Sequence, residues 1–195
     1  NTPKHAHMYI LDRLTGKPVF AVEERPVPIS NVPGERSSLT QPFPPKPPAL
    51  ARNSYRADEI VTAGDTSEEH AKFCRELAER SGGLYNVGPF TPYVYREEGA
   101  KPYSTVLFPG SIGGVNWGGT ASDPTTGYVF VNTMDEASIG WIEKTPAGAR
   151  GGNGYRRNSI VGPTSRFQWS EGNPNSGNIN GSGARAWPCQ KPPWG

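Results

Sequence analysis

Between Leu107 and Thr120 the chain reads LFPGSIGGVNWGGT, where five glycines (Gly110, Gly113, Gly114, Gly118, Gly119) flank one amide, Asn116, and one large ring, Trp117. Glycine tolerates positive φ and close backbone approach, so this stretch could receive a planar, polar-edged partner. The same residues also describe a glycine-bulged strand beside a core tryptophan. Lys4 lies at the start of a strand, eight residues before Asp12. An ammonium placed there can polarise a carbonyl or pair an anion, or it is a solvated lysine near a terminus. His5 and His7 would share one face of a strand and could hold a metal, but no third ligand is evident. Ser111 is not a nucleophile elbow, because Pro109 stands where G-x-S-x-G requires glycine. The glycines also miss G-x-G-x-x-G and have no βαβ surroundings, which excludes a dinucleotide fold.

Two cysteines, Cys74 and Cys189, are more than a hundred residues apart. A bridge would close a loop worth about 4 to 5 kcal/mol in the chain-entropy treatment, but spacing alone does not say whether they meet. Asn180-Gly181-Ser182 matches a glycosylation acceptor, informative only in a secretory context. The 20 basic residues exceed the 18 acidic ones by 2, with no basic run, so no nucleic-acid partner is expected. No apolar run approaches the roughly 18 residues of a membrane-spanning helix, and Asn1 to Lys17 lacks a signal-peptide layout.

These residues must be positioned by a loop-rich chain. It has 24 glycines and 21 prolines in 195 residues, yet its 5 Trp, 8 Tyr and 7 Phe are too many for disorder. A mainly β, ordered protein is expected. HMYIL (His7 to Leu11), the turn DRLTG (Asp12 to Gly16) and PVFAV (Pro18 to Val22) predict a hairpin. Glu23 to Arg52 is proline-rich and should run as an extended arm unable to donate to a sheet ladder. Thr66 with Glu69 predicts a capping box opening a helix over 66–81, with Phe73, Cys74 and Leu77 on its apolar face, Glu68, Glu69, Glu76 and Glu79 solvated, and Gly82 as the stop. Ser81 to Ala100 should be packed irregular chain. Strands are predicted at Tyr103 to Phe108, Gly119 to Ser122 and Tyr128 to Asn132, the last two joined by DPTTG (Asp123 to Gly127).

DRLTG and DPTTG share D-x-x-T-G followed by β-branched and aromatic residues, a repeat whose unit is an antiparallel hairpin, and repeated hairpins suggest a β-propeller. The copies are further apart than a blade of roughly 40 to 50 residues, so the chain between them reads as an insertion. The expected organisation is the end of one blade at 1–22, an inter-blade insertion at 23–102, the next blade's hairpins at 103–133, and an irregular segment leading to a further blade at 134–195. Lacking an initiator Met and the strands to close a ring, the chain is expected to be a fragment of about two blades of a longer, all-β propeller protein.

Taken in order, PKHAHMYILDRLTGKPV, EERPVPISNVPGE, LTQPFPPKPP, GGLYNVGPFTPY, LFPGSIGGVNWGG and PCQKPPWG resemble the quinoprotein dehydrogenases dependent on pyrroloquinoline quinone, in the membrane-type glucose and quinate dehydrogenase branch. The resemblance implies an eight-bladed propeller with the quinone and Ca2+ in a central funnel, oxidising a sugar, cyclic polyol or alcohol. It gives Lys4 a contact to the quinone's carbonyl edge, Asn116 a place near the cofactor edge, and Trp117 the role of the family's tryptophan. Asp12 and Asp123 match blade turns and are assigned structural roles.

The family's catalytic aspartate and metal ligands fall upstream of Asn1. No catalytic residue or metal ligand is therefore assigned within the segment, and the isolated chain is expected to be inactive. Implied partners are a small sugar or alcohol and an electron acceptor, membrane ubiquinone or cytochrome c. The implied location is the bacterial periplasm, with anchoring to the inner membrane through other parts. The alternative is a non-catalytic propeller scaffold or binding protein. An aspartate in a W-D context two or three dozen residues before Lys4 in the parent would favour the enzyme.

Overall fold

The computed structural model describes residues 1–101, 103–116, 118–145, 154–159 and 185–191. Its chain is β-dominated, with one α-helix among the described residues. The organising strand is β8 (Ala137–Lys144). Its first half pairs antiparallel with β5 (Ser104–Leu107), Val106 opposite Ile139, and with β10 (Arg185–Trp187). Its second half pairs with β9 (Tyr155–Asn158) and, in parallel, with β4 (Tyr95–Arg96). The short β3 (Leu84–Tyr85) adds in parallel to the outer edge of β5.

This differs from the irregular segment expected from residue 134 onward. ASIGWIEK alternates well as a strand, but glycine-rich chain after it hides the pattern; burial of Ala137 through Trp141 comes from neighbours on both edges and both faces. Alternation gives β8 two duties. Ala137 and Ile139 enter the main core with Val106, Phe108, Tyr55, Val61 and Leu77, while Ser138 turns toward the glycine stretch.

The helix α1 runs Glu68–Arg80, and Ser67, rather than Thr66, is its N-cap, accepting from the His70 backbone N–H at 3.2 Å. Its buried face is Ala71, Cys74 and Leu77, its four glutamates are exposed, and Gly82 at φ 71° ends it. Cys74 and Cys189 are joined in a disulfide, with Cα atoms 5.5 Å apart, tying α1 to the chain just after β10. Cys189 is also held by its backbone: its carbonyl accepts from Val61 N, and its neighbour Gln190 bridges to Ile60.

Both D-x-x-T-G turns form with the same chemistry. Asp12 Oδ1 accepts from the Leu14 and Thr15 backbone and the Thr15 hydroxyl. Asp123 accepts from Thr125 N and the Thr126 hydroxyl. Gly16 and Gly127 close the turns at φ 70° and 74°. The strands around them differ. β6 (Thr120–Asp123) and β7 (Tyr128–Val131) form a full hairpin, whereas the predicted 7–22 hairpin reduces to one bridge, Leu11 to Pro18. That bridge is closed by Asp12 N donating to the Lys17 carbonyl and Val19 N to the Ile10 carbonyl, after which the chain leaves as β1 (Glu23–Pro26) to pair with β2 (Thr40–Phe43). The proline arm thus does build a two-stranded ladder, since Pro26 and Pro42 sit where the non-proline residues around them supply the donors. No helix among the described residues is long and apolar enough to cross a membrane.

Candidate functional site

The glycine stretch and the N-terminal turn meet. Gly114 N donates to the Lys4 carbonyl at 2.8 Å, and Met134 N donates to the Gly114 carbonyl at 2.8 Å. A side chain at Gly113 would strike Lys4 Cβ at 2.8 Å, and one at Gly114 would strike Ala6 Cβ at 2.8 Å. Gly110 faces the Glu136 carbonyl and Ser138 Oγ, both 2.9 Å from where a Cβ would stand. Gly110 N bonds that same carbonyl, and Ser111 N donates to Ser138 Oγ. Of the two readings of this stretch, a receiving surface or a close-packed bulge, Gly110, Gly113 and Gly114 follow the second. Only Gly113 and Gly119 take positive φ, and Gly110, Gly113 and Gly114 are small because the chain's own backbone and side chains press against them.

Lys4 is rooted by these contacts and its side chain is exposed, with no hydrogen-bond or ion-pair partner among the described residues. It stands on the wall of an open cleft of about 180 Å³ shared with His5, Asn53, Pro89, Phe90 and Pro109. Asn116 is half-buried, its carbonyl accepts from Gly119 N, and it is not among the residues lining this cleft. Trp117 lies outside the described residues, as does Asn180-Gly181-Ser182. The structure thus brings Lys4 to the glycine stretch without bringing Asn116 to the Lys4 cleft.

His5 and His7 sit on a turn rather than a strand, because Ala6 between them takes φ 67°. Their rings lie 5.3 Å apart and pack with Phe90, which is 5.2 Å from His5, while Phe43 meets His7 edge-on. Asn53 Nδ2 lies 3.4 Å from His7 Nε2. Burial lowers the pKa of His5; burial, then the positive charges of His5 and Arg25, lowers that of His7. Both imidazoles are held neutral at neutral pH. Among the described residues no third ligand joins them.

Ala6 and Phe90 are the two non-glycine residues at positive φ among those described; Phe90 lines the cleft and Ala6 follows its lining residue His5. Such a conformation costs about 1 to 3 kcal/mol and persists where surrounding structure over-determines it. Nothing in the local sequence marks either residue, and Phe90 and Asn53 are the cleft residues that sequence reasoning missed. A left-handed alanine or phenylalanine is set by distant contacts, here Leu50 N donating to the Ala6 carbonyl.

A planar, carboxylate-bearing quinone fits one edge of this arrangement. Phe90, Pro89 and Pro109 present flat apolar surface, Asn53 an amide, and Lys4 a cation without a partner among the described residues, which suits an anionic or carbonyl edge.

Comparison with known proteins gives the family. The family model described as "PQQ: Glucose/ethanol/alcohol dehydrogenase, beta-propeller domain" matches residues 1–195. The quinate/shikimate dehydrogenase (quinone) of Acinetobacter baylyi is 33% identical over 98% of this chain and 22% of its own length. A probable quinate dehydrogenase (quinone) of Xanthomonas campestris pv. juglandis is 32% identical over the same shares, 98% and 22%. The quinoprotein glucose dehydrogenase of Gluconobacter oxydans is 28% identical over 80% of this chain and 19% of its own length. The chain thus spans about a fifth of the length of the first two of these relatives. No solved structure matches it. The open sheets, the paired blade-type turns and the match along the whole chain agree: this chain is part of a β-propeller and belongs to the PQQ-dependent quinoprotein dehydrogenase family.

Proposed function

We propose that the chain is a segment, about two blades with the 23–102 insertion between them, of a periplasmic dehydrogenase that oxidises a sugar, cyclic polyol or alcohol. Pyrroloquinoline quinone, held with Ca2+ by ligands outside this segment, supplies the hydride acceptor. Lys4 places its ammonium against the quinone's carbonyl edge and offsets negative charge developing there. Its precision comes from Gly113 and Gly114, which clamp its backbone and leave the side chain one root from which to reach the cleft. Phe90 and the prolines exclude water from one side. Asn116, on a wall other than the Lys4 cleft, and Trp117 are proposed as further contacts of the quinone.

The observation that carries this reading is the exposed Lys4 ammonium, without a partner among the described residues, on the wall of a cleft in a chain of this family. The relatives' names, quinate, shikimate and glucose dehydrogenases, support a polyhydroxylated substrate, and "(quinone)" in two of them supports a quinone, rather than cytochrome c, as acceptor. The disulfide supports an oxidising compartment. A scaffold would have no use for a cation presented in this way. With the catalytic base outside the segment, the isolated chain should turn over nothing.

The test is Lys4→Ala in the full-length parent, reconstituted with quinone and Ca2+. Dye-linked dehydrogenase activity should fall by about 10²- to 10³-fold, the scale of losing one charge-stabilising donor, with an unchanged circular dichroism spectrum. Wild-type activity in that variant would remove Lys4 from the site.

A further inference from the structure

One cluster of metal-ligating side chains lies far from the Lys4 cleft and takes no part in the function proposed above. Cys74, Cys189 and His70 each bring one ligand atom within 4.8 Å of the others. His70 lies one turn before Cys74 on the same helix face; its Nδ1 is 3.1 Å from Thr66 Oγ1 and the ring also hydrogen-bonds the Pro188 backbone, contacts that orient it and one of which the ion would replace. We propose that when the Cys74–Cys189 disulfide is opened, these three residues bind a thiolate-seeking divalent cation of the zinc class, so that metal replaces the covalent tie between α1 and the chain after β10.

The geometry supports a two-state site. Bonded sulfurs stand about 2.0 Å apart in any disulfide. Two thiolates on one tetrahedral Zn2+, each at about 2.3 Å, stand about 3.7 Å apart. The states exclude one another, yet each sulfur need move by only about 0.9 Å to pass between them. The backbones hold still meanwhile. Cys74 is mid-helix, and Cys189 is pinned by Val61 N to its carbonyl at 2.9 Å and by Lys191 N to the Glu59 carbonyl at 2.7 Å. Neither restraint depends on the S–S bond. Both cysteines are fully buried and His70 is half-buried with its Nε2 withdrawn from solvent, so the ion would sit inside the fold and take a water as its fourth ligand.

The chemistry balances with a dithiol donor. The donor becomes a disulfide while Cys74 and Cys189 become thiols, and cation binding releases both thiol protons. A disulfide oxidant then takes two electrons from the thiolates, restores the S–S bond and expels the metal. A nascent chain not yet oxidised would enter the cycle at the thiol stage.

The 195-residue chain, reduced with a phosphine and kept anaerobic, is titrated with Co2+. One equivalent should give the visible bands of tetrahedral cobalt and a near-ultraviolet sulfur-to-metal band, both lost on adding Zn2+. The oxidised chain should give neither. His70→Ala should weaken Co2+ binding at least about tenfold while keeping the helical circular dichroism signal, and His70→Cys should restore affinity. Absence of these bands in the reduced chain, equal affinity in His70→Ala, or helix lost on reduction and not regained with Co2+ would each overturn the proposal.

Discussion

The β5–β8 pair and the β6–β7 hairpin are both antiparallel ladders of β-forming residues, but they end in opposite environments. In the first, Val106 is 0% and Ile139 2% exposed. In the second, Tyr128, Val129 and Phe130 are 65%, 56% and 59% exposed. Successive strand residues point to opposite faces, so exposure of three in a row leaves neither face of β7 covered. The first ladder is covered by α1, which the disulfide locks in place, while nothing among the described residues packs over β7. Strand formation is thus local, satisfied by the Asp123 turn and four register pairs, whereas burial is set by what lies across from the strand. The apolar residues of β7 thus form an exposed patch, of the kind that packs against further chain or a partner.

The comparison breaks most severely if the lock is removed. Replacing Cys74 and Cys189 together by serine should cost about 4 to 5 kcal/mol in urea unfolding, the chain-entropy value for a loop of this length. NMR shifts of residues 120–131 should stay in place at urea concentrations where the β5–β8 amides have lost protection. Hairpin signals that vanish together with the core would mean the two regions are one cooperative unit.

Leu77→Ala, at a site 2% exposed beneath the lock, should cost about 3 kcal/mol, while Phe130→Ser on the hairpin should stay within about 0.5 kcal/mol by the same measurement. Equal costs would show that β7 is covered after all. Gly110→Ala probes the seam between β5 and β8, where a Cβ would stand 2.9 Å from the Glu136 carbonyl. It should cost about 1 to 3 kcal/mol in thermal or urea melts, because backbone has to move.

Acid should separate the regions by the groups that titrate. Burial lowers the pKa of His5 and His7, so the unfolded chain binds more protons than the folded one as pH falls below the ordinary histidine value of about 6.5. Their contribution is present above that pH and lost as pH falls through the depressed folded values. For Asp123, the Thr125 backbone hydrogen bond and then the Thr126 hydroxyl lower the pKa, so the turn is supported above about pH 3.9 and loosens only as pH falls through its lower folded value. An NMR pH titration should show the His5–Phe90 cluster responding first and the β6–β7 turn holding into the carboxylate range. The reverse order would assign the acid sensitivity to other groups.

The two D-x-x-T-G turns and α1 were legible because their causes lie within four residues, a carboxylate accepting from residues two and three ahead and a glycine at positive φ, although the helix cap falls one residue later than read, on Ser67 and not Thr66. Even there reach was limited, since the same motif gives a full hairpin around Asp123 and one bridge around Asp12, where the chain departs to pair as β1 with β2. The resemblance of GG-x-NWGG and the lysine segment to the quinoprotein family was legible too, and the comparisons bear it out.

What the amino-acid sequence determined by itself was therefore the local turns, the helix and the family. Only the tertiary structure decided that Cys74 meets Cys189 across 115 residues, that β8 is the central strand, and that Gly110, Gly113 and Gly114 are small because Glu136, Lys4 and Ala6 press on them. It alone decided that Ala6 and Phe90 take the left-handed region beside the Lys4 cleft. The physical reason is range: hydrogen bonds within a turn are specified by neighbouring residues, whereas close packing, cross-links and strained φ angles depend on which distant segment arrives opposite.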